Sequence, residues 1–320
     1  MVNSDEDVLA IFSSRWSTTF IPSVYTVVFL VSLPCNVIAI IIFLFRTTKT
    51  PSVVFMLNLA ISDVLFVILL PFNIAYRFLG NDWVIGEGMC QFITVAFYSN
   101  MYCSILLMTG ISVDRFLAVV YPMQSLLWRR VSRAWITCFF IWVVSIAGAV
   151  PLFTINLTVR IDQLNITTCY DMLDIKHMDF YLYYFITFIS IVFLLSFLIL
   201  TFCYIVTIRT LSSSKIESTV KKSRSVSLCI TVLFEYIFCF GPTNILLLIY
   251  CLTFDKSFVY FAYMLSVSCS SISCCVDPAI YYFGSSKYKK LVHSLVCCGE
   301  YKAVSMRDSS SRATGKGTLA

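Results

Sequence analysis

Long apolar runs alternate with short polar stretches seven times along this chain. A hydrocarbon layer about 30 Å thick is crossed by about 20 residues of helix. Runs of that length fall at about 20–45, 53–78, 90–120, 134–153, 180–208, 226–252 and 258–283. The pattern predicts an all-α membrane protein, a seven-transmembrane helix bundle over residues 20–283 behind a short polar N-terminus, 1–19. Past the seventh run, residues 284–298 place basic and polar positions opposite apolar ones at helical spacing, as in Lys289, Lys290, Leu291 and Val292. That spacing predicts a short amphipathic helix lying on the membrane surface. Residues 299–320 are rich in Ser, Arg, Lys and Gly, and read as a disordered tail.

Composition agrees with a bilayer as solvent. The chain is 59% hydrophobic and only 12% charged, against about 25% charged in an ordinary soluble domain. No basic stripe interleaved with aromatics marks a nucleic-acid footprint. No nucleophile–base pair, phosphate loop or metal set marks an enzyme. Of the 23 Lys and Arg, five (Arg15, Arg77, Arg160, Lys176 and Lys256) fall on the side of the N-terminus, leaving eighteen on the other. The positive-inside rule therefore predicts an extracellular N-terminus and a cytoplasmic C-terminus in a multi-pass plasma-membrane protein. Residues 1–19 lack the basic-then-apolar form of a signal peptide, so the first span is expected to act as its own insertion signal. Nine of the cysteines (Cys35, Cys103, Cys138, Cys203, Cys229, Cys239, Cys269, Cys274 and Cys275) lie in apolar runs and are expected to be small buried hydrophobes.

Charges inside apolar runs carry the candidate chemistry, because lipid tolerates them only when they are paired or functional. Asp63 lies midway along the second run and Asp277 late in the seventh, beside the helix-kinking Pro278. Asn36, Asn100, Ser104 and Ser273 fall at compatible depths. Two carboxylates in a low-dielectric interior need a cation or a proton between them. The expectation is a polar cluster of Asp63, Asn100, Ser104 and Asp277 with either a bound sodium ion or one protonated Asp. Adjacent Asp114 and Arg115 close the third run, either as an interfacial salt bridge or as a switch. Intramembrane acids also serve ion-coupled transporters, but those usually carry internal repeats, and none is visible.

At this point the residues carry a family resemblance. "LNLAISD" (57–63), "DRF" (114–116), Trp142, "CFGP" (239–242) and "DPAIY" (277–281) resemble the rhodopsin-like (class A) G-protein-coupled receptors. Longer strings, "FIPSVYT", "VDRFLAVVYPMQSL", "LNITTCYD", "CFGPTN" and "SSISCCVDPAIYYF", resemble the protease-activated branch and its thrombin receptors most closely. The resemblance implies a G-protein switch made of Asp114, Arg115, Tyr204 and Tyr281, with Asp114 holding Arg115 at rest. It implies a hinge at Phe240 and Pro242, joined by the kink at Pro278. It implies a disulfide between Cys90 and Cys169, and a peptide site of Asp171, Leu173, Tyr260 and Tyr263. It implies coupling to heterotrimeric G proteins of the Gq, G12/13 and Gi types, and contact with arrestin and receptor kinases. It also implies a part in thrombin signalling and coagulation. Asn156 and Asn165 head glycosylation sequons on the outer loop. Cys297 and Cys298 are palmitoylation candidates, and Ser305, Ser309, Ser310 and Ser311 are hydroxyls open to kinases.

Several positions depart from the branch. Only about 18 residues precede the first span, too few for the outer segment that holds a protease site and tethered ligand. The expectation is an incomplete chain, whose longer form an activating serine protease would cut, or a receptor that borrows its agonist peptide; a non-signalling decoy or co-receptor is the alternative. Ser196 stands where the branch has Pro, Tyr236 where it has Phe, and Glu235 adds an acid to the sixth span.

Overall fold

The structure, a computed structural model, describes residues 9–45, 47–169, 179–213, 219–252 and 257–294. Seven of its helices are long and apolar enough to cross a membrane: α1 Trp16–Phe45, α2 Pro51–Phe78, α3 Glu87–Val120, α4 Val131–Thr154, α5 Tyr183–Ser213, α6 Lys222–Tyr250 and α7 Val259–Gly284. They agree with the seven apolar runs to within a few residues. The first helix starts earlier than its apolar run because Ser17, fully buried, hydrogen-bonds the Asn81 side chain and draws the polar residues before Phe20 into the bundle. Residues 286–294 are also helical. Asp171, Leu173, Cys297, Cys298 and the tail 299–320 lie outside the described residues.

Polarity runs opposite to that of a soluble globule. Leu30, Ile41, Phe139 and Leu198 face outward, exposed, whereas Asn36, Asp63, Ser112 and Asp277 are fully buried. Lipid accepts the former, and the bundle interior supplies partners to the latter. Among the nine thiols, Cys269 is exposed and Cys35 and Cys275 are half-buried. That corrects the expectation of nine buried hydrophobes: an apolar thiol meets lipid as readily as protein.

In α2, α6 and α7 a proline ring removes an N–H that would have bonded four residues back, although α7 stays α-helical through Pro278. In α2, Ile68 and Leu69 leave α-helical geometry just before Pro71. In α6, Tyr236–Phe240 form a π-helical turn ahead of Pro242, with the Gly241 N–H reaching Tyr236 O. In α7, Pro278 cannot bond the Cys274 carbonyl, which instead accepts from Ser32 Oγ and Asn36 Nδ2 of α1, both at 3.0 Å. Helix α5, by contrast, runs unbroken through Ser196.

Helix α3 packs against α2, α4 and α5. Above its Cys90 end lies an antiparallel hairpin, β1 Thr158–Ile161 and β2 Ile166–Cys169, with Thr158 opposite Cys169 and Asn165 at φ +50° in the turn. This hairpin qualifies the all-α expectation; its two four-residue strands are too short to stand out beside spans of 20 or more. The Cys90–Cys169 disulfide ties β2 to α3. Asp82 accepts from the Thr167 N–H at 2.9 Å, and Glu87 accepts from the Leu157 and Thr158 N–H groups at 2.6 and 2.9 Å.

Gly148 leaves room on α4 for the Phe188 ring of α5, with which a Cβ there would collide. A Gly148→Leu change should cost about 1–3 kcal/mol, read as a lower thermal midpoint in detergent. Phe188→Ala in the same chain should restore part of that loss.

Candidate functional site

Three polar layers stack along the bundle axis, beginning at the hairpin end. Tyr260 and Tyr263 of α7 are both buried beneath the hairpin instead of standing at a membrane interface. The Tyr263 and Tyr98 hydroxyls are 2.5 Å apart, and Tyr250 stacks on Tyr263 at 6.2 Å. Phe12, nearly fully buried, packs its ring 6.0 Å from that of Tyr260, and its carbonyl accepts from Asn81 Nδ2 at 2.8 Å. Arg77 donates to Asn81 Oδ1 at 2.9 Å and lies over the Tyr76 ring. Beneath these groups is a cavity of about 80 Å³ lined by Arg77, Tyr98, Tyr260 and Tyr263 among others. The sequence reading found the two α7 tyrosines but missed Phe12, Arg77 and Tyr98. Arg77 had a signal, since a lone cation at the end of an apolar run needs a partner.

The middle layer brings together most of the predicted cluster. Asn100 Nδ2 donates to Ser62 Oγ at 3.0 Å and, at 3.5 Å, to Asp63 Oδ1. The Tyr281 hydroxyl donates to Asn36 Oδ1 at 2.9 Å, with Asp63 Oδ2 farther off at 3.4 Å. Asp63 and Asp277 stand within hydrogen-bonding reach of each other, yet among the described residues no N–H or O–H donor reaches either Asp277 oxygen. Ser104 Oγ is likewise buried without a partner. Such a set of unshared oxygens suits a hard cation, or a proton held between the carboxyls. Nearby in α6, Glu235 is fully buried, has no hydrogen bond to either oxygen among the described residues, and lies within electrostatic range of Asp63 and Asp277. Its neighbour Tyr236 is satisfied, donating to the Phe193 carbonyl of α5 at 2.5 Å and stacking on the Phe193 ring.

The far layer holds Asp114 and Arg115, and here one expectation is corrected. Asp114 does not hold Arg115; it accepts from Arg129 Nε at 2.7 Å and Nη2 at 3.0 Å, and from the Ser52 hydroxyl. Consecutive helical residues do not face each other, so the two side chains leave α3 in different directions. Arg115 instead donates to the Gly284 carbonyl at 2.5 Å. Arg224 of α6 donates to the Phe283 carbonyl at 2.6 Å and to Ser286 Oγ. A helix C-terminus leaves carbonyls without intrahelical partners, and two guanidinium groups from α3 and α6 cap those of α7. Tyr204 of α5 meets Ser112 of α3 hydroxyl to hydroxyl just above. Arg129 and Arg224 were missed because a loop residue and a helix end reach this layer only in three dimensions.

Comparison with known proteins follows the same lines. The family described as 7 transmembrane receptor (rhodopsin family) matches residues 35–281. Proteinase-activated receptor 1 of Xenopus laevis is 51% identical over 319 residues, covering 96% of this chain and 76% of that protein. Proteinase-activated receptor 1 of Homo sapiens is 50% identical over 313 residues, covering 96% and 74%. Proteinase-activated receptor 2 of Mus musculus is 38% identical over 307 residues, covering 94% and 77%.

Glu235 carries two buried oxygens without partners, a cost of about 1–3 kcal/mol or more. Glu235→Leu should therefore raise the thermal midpoint, while Glu235→Gln, which keeps polar atoms in the same place, should raise it less. An equal or lower midpoint for Glu235→Leu would mean that the carboxyl has a partner in the membrane.

Proposed function

The chain belongs to the rhodopsin family of seven-transmembrane receptors, within its proteinase-activated branch, and on that premise we propose that it relays a peptide signal from the hairpin end to a heterotrimeric G protein at the Arg115 end. As a receptor of this family it is a multi-pass plasma-membrane protein and not an enzyme. The N-terminus and hairpin are assigned to the outside and the Arg115 end to the cytoplasm. The uneven distribution of Lys and Arg supports this, as does a disulfide at the hairpin end, at home in an oxidising compartment. Asn156 and Asn165, both exposed there, are the glycosylation sites on this reading. Cys297 and Cys298 are the palmitoylation sites.

One observation carries the proposal: Arg115 of α3 and Arg224 of α6 are latched to adjacent carbonyls at the end of α7. Hydrogen bonds to two backbone oxygens hold the α6 end inward. An outward swing of α6 about the π-turn before Pro242 would break the Arg224 bonds and free Arg115 for a transducer. Phe240 and Pro242 are the hinge, and Tyr204 and Tyr281 repack with it. Gq, G12/13 and Gi types are the proposed transducers, with arrestin and receptor kinases acting on the tail.

At the hairpin end the proposed agonist is a peptide, tethered or free, received by Asp171, Leu173, Tyr260 and Tyr263. A cavity of about 80 Å³ is far below the roughly 300–1,000 Å³ of a ligand pocket. Agonist entry therefore has to displace the segment carrying Phe12 or lift the hairpin. A serine protease that exposes the tethered peptide, and a part in thrombin signalling and coagulation, follow from the branch. In the middle layer Asp63, Asp277, Ser104 and Asn100 would hold a sodium ion, supplying positive charge between two carboxyls.

The test adds a free agonist peptide to cells expressing this chain and records intracellular calcium. Arg115→Ala should reduce the response more than about tenfold, the loss of one or more charge-assisted hydrogen bonds, with surface delivery unchanged. A full response from Arg115→Ala would remove the switch, and no response from the parent chain would favour a decoy. Tyr263→Phe, which takes away the bond to Tyr98, should shift peptide potency without changing the maximal response.

A further inference from the structure

The Arg115 end of the bundle gathers more positive charge than Asp114, which pairs with Arg129 there, neutralises. A cavity of about 500 Å³ opens there, and Arg115, Arg129, Arg224 and Lys287 all line it. Among the described residues no carboxylate does. The nearest, Asp114, is already occupied by Arg129 and Ser52. Among the described residues neither Arg115 nor Arg224 makes a salt bridge; both donate to neutral backbone carbonyls of α7. Arg115 Nε is buried with no hydrogen-bond partner at all. The Arg115 guanidinium feels the attraction of Asp114 and the repulsion of Arg224 and Arg129, and with Lys287 added the cations outnumber the acid, a field that favours an anion.

The rest of the lining narrows the class of anion. Thr48, Thr50, Ser285 and Ser286 put hydroxyls between the cations, and Lys287 Nζ already donates to Thr48 Oγ1 at 3.1 Å. A compact ring bearing several phosphates and free hydroxyls complements that alternation. An extended phosphopeptide would bring single phosphates spaced along a backbone. The cavity also opens beside the ends of α1 and α7, near Thr47 and Ser285, the depth at which anionic headgroups lie.

We propose that this cavity binds a polyphosphorylated inositol headgroup, with phosphates on Arg224, Lys287 and Arg115 and ring hydroxyls against the Ser and Thr rim. The source is either a membrane phosphoinositide or a soluble inositol phosphate. Bridging Arg224 of α6 to Lys287 and Arg115 holds the α6 end inward, so occupancy lowers signalling. That last consequence rests on the receptor reading above; the binding does not.

The test uses the full chain in phosphoinositide-free nanodiscs, titrated calorimetrically with inositol 1,4,5-trisphosphate. A second arm compares thermal midpoints in nanodiscs holding phosphatidylinositol 4,5-bisphosphate or phosphatidylserine at equal total charge. Binding should weaken about tenfold or more in Arg224→Gln with Lys287→Gln, as expected for two lost charge-assisted contacts. It should be unchanged in Lys289→Gln, a lysine that lies over the Tyr282 ring and is not part of the cavity lining. Lys287 is exposed and makes one side-chain hydrogen bond, so Lys287→Gln alone guards against a folding defect and should weaken binding by itself. Binding in the first arm without a midpoint rise in the second assigns a soluble source, and a midpoint rise with the phosphoinositide and not with phosphatidylserine assigns a membrane source. The proposal is overturned if neither arm responds, if both variants bind as the parent does, or if phosphatidylserine matches the phosphoinositide. It is also overturned if a peptide of residues 305–311 phosphorylated on its serines binds and the headgroup does not.

Discussion

Hydrocarbon offers no hydrogen bonds, so the polar groups carried into this bundle depend on one another for partners. That constraint organises the molecule around the carbonyl of Cys274. Pro278 removes the N–H that would have bonded it, and Ser32 and Asn36 of α1 supply the replacement. Asn36 then has its side-chain oxygen left for the Tyr281 hydroxyl, which stands beside Asp63, and Asp63 meets Asn100 and Asp277. A single proline in α7 thus links α1, α2, α3 and α7 through one polar chain in the middle of the membrane.

Helix α3 joins that layer to both ends. Its first turns carry Cys90, bonded to the hairpin, and Tyr98, which meets Tyr263 of α7. Its middle carries Asn100 and Ser104, and its far end carries Ser112, Asp114 and Arg115. Helix α6 is attached differently. It is held by Tyr236 to α5 and by Thr243 to α7, with the Tyr102 hydroxyl of α3 3.5 Å from Asn244, and by Arg224 to α7 at its end; the π-turn at Tyr236–Phe240 lies between its two α-helical halves. A π-turn is a local weakness in the helical ladder. Helix α3 makes polar contacts along its whole length, whereas at the Arg115 end α6 bonds α7 through Arg224.

Much of this architecture was legible along the chain. Apolar length is a one-dimensional property, so the seven spans could be placed to within a few residues, and intramembrane acids marked the middle layer because lipid penalises charge. The Cys90–Cys169 pairing and the peptide-site tyrosines came from the family resemblance. The short hairpin strands were overlooked, since four residues of Thr, Val, Arg and Ile carry little signal beside a 30-residue helix. The π-turn was not visible either: a proline announces a break, but whether the ladder widens or kinks depends on what packs around it. The break in α2 was open to reading at Pro71 and was passed over because the apolar run continues through it.

What the sequence determined by itself was which residues the membrane would contain and which of them needed partners. What only the tertiary structure decided was who those partners are. Asp114 and Arg115 are adjacent in sequence, yet about 100° apart around a helix, so one meets Arg129 from a loop and the other the end of α7. Burial follows from composition and can be read along a chain. Pairing follows from direction, and direction exists only once the helices are packed.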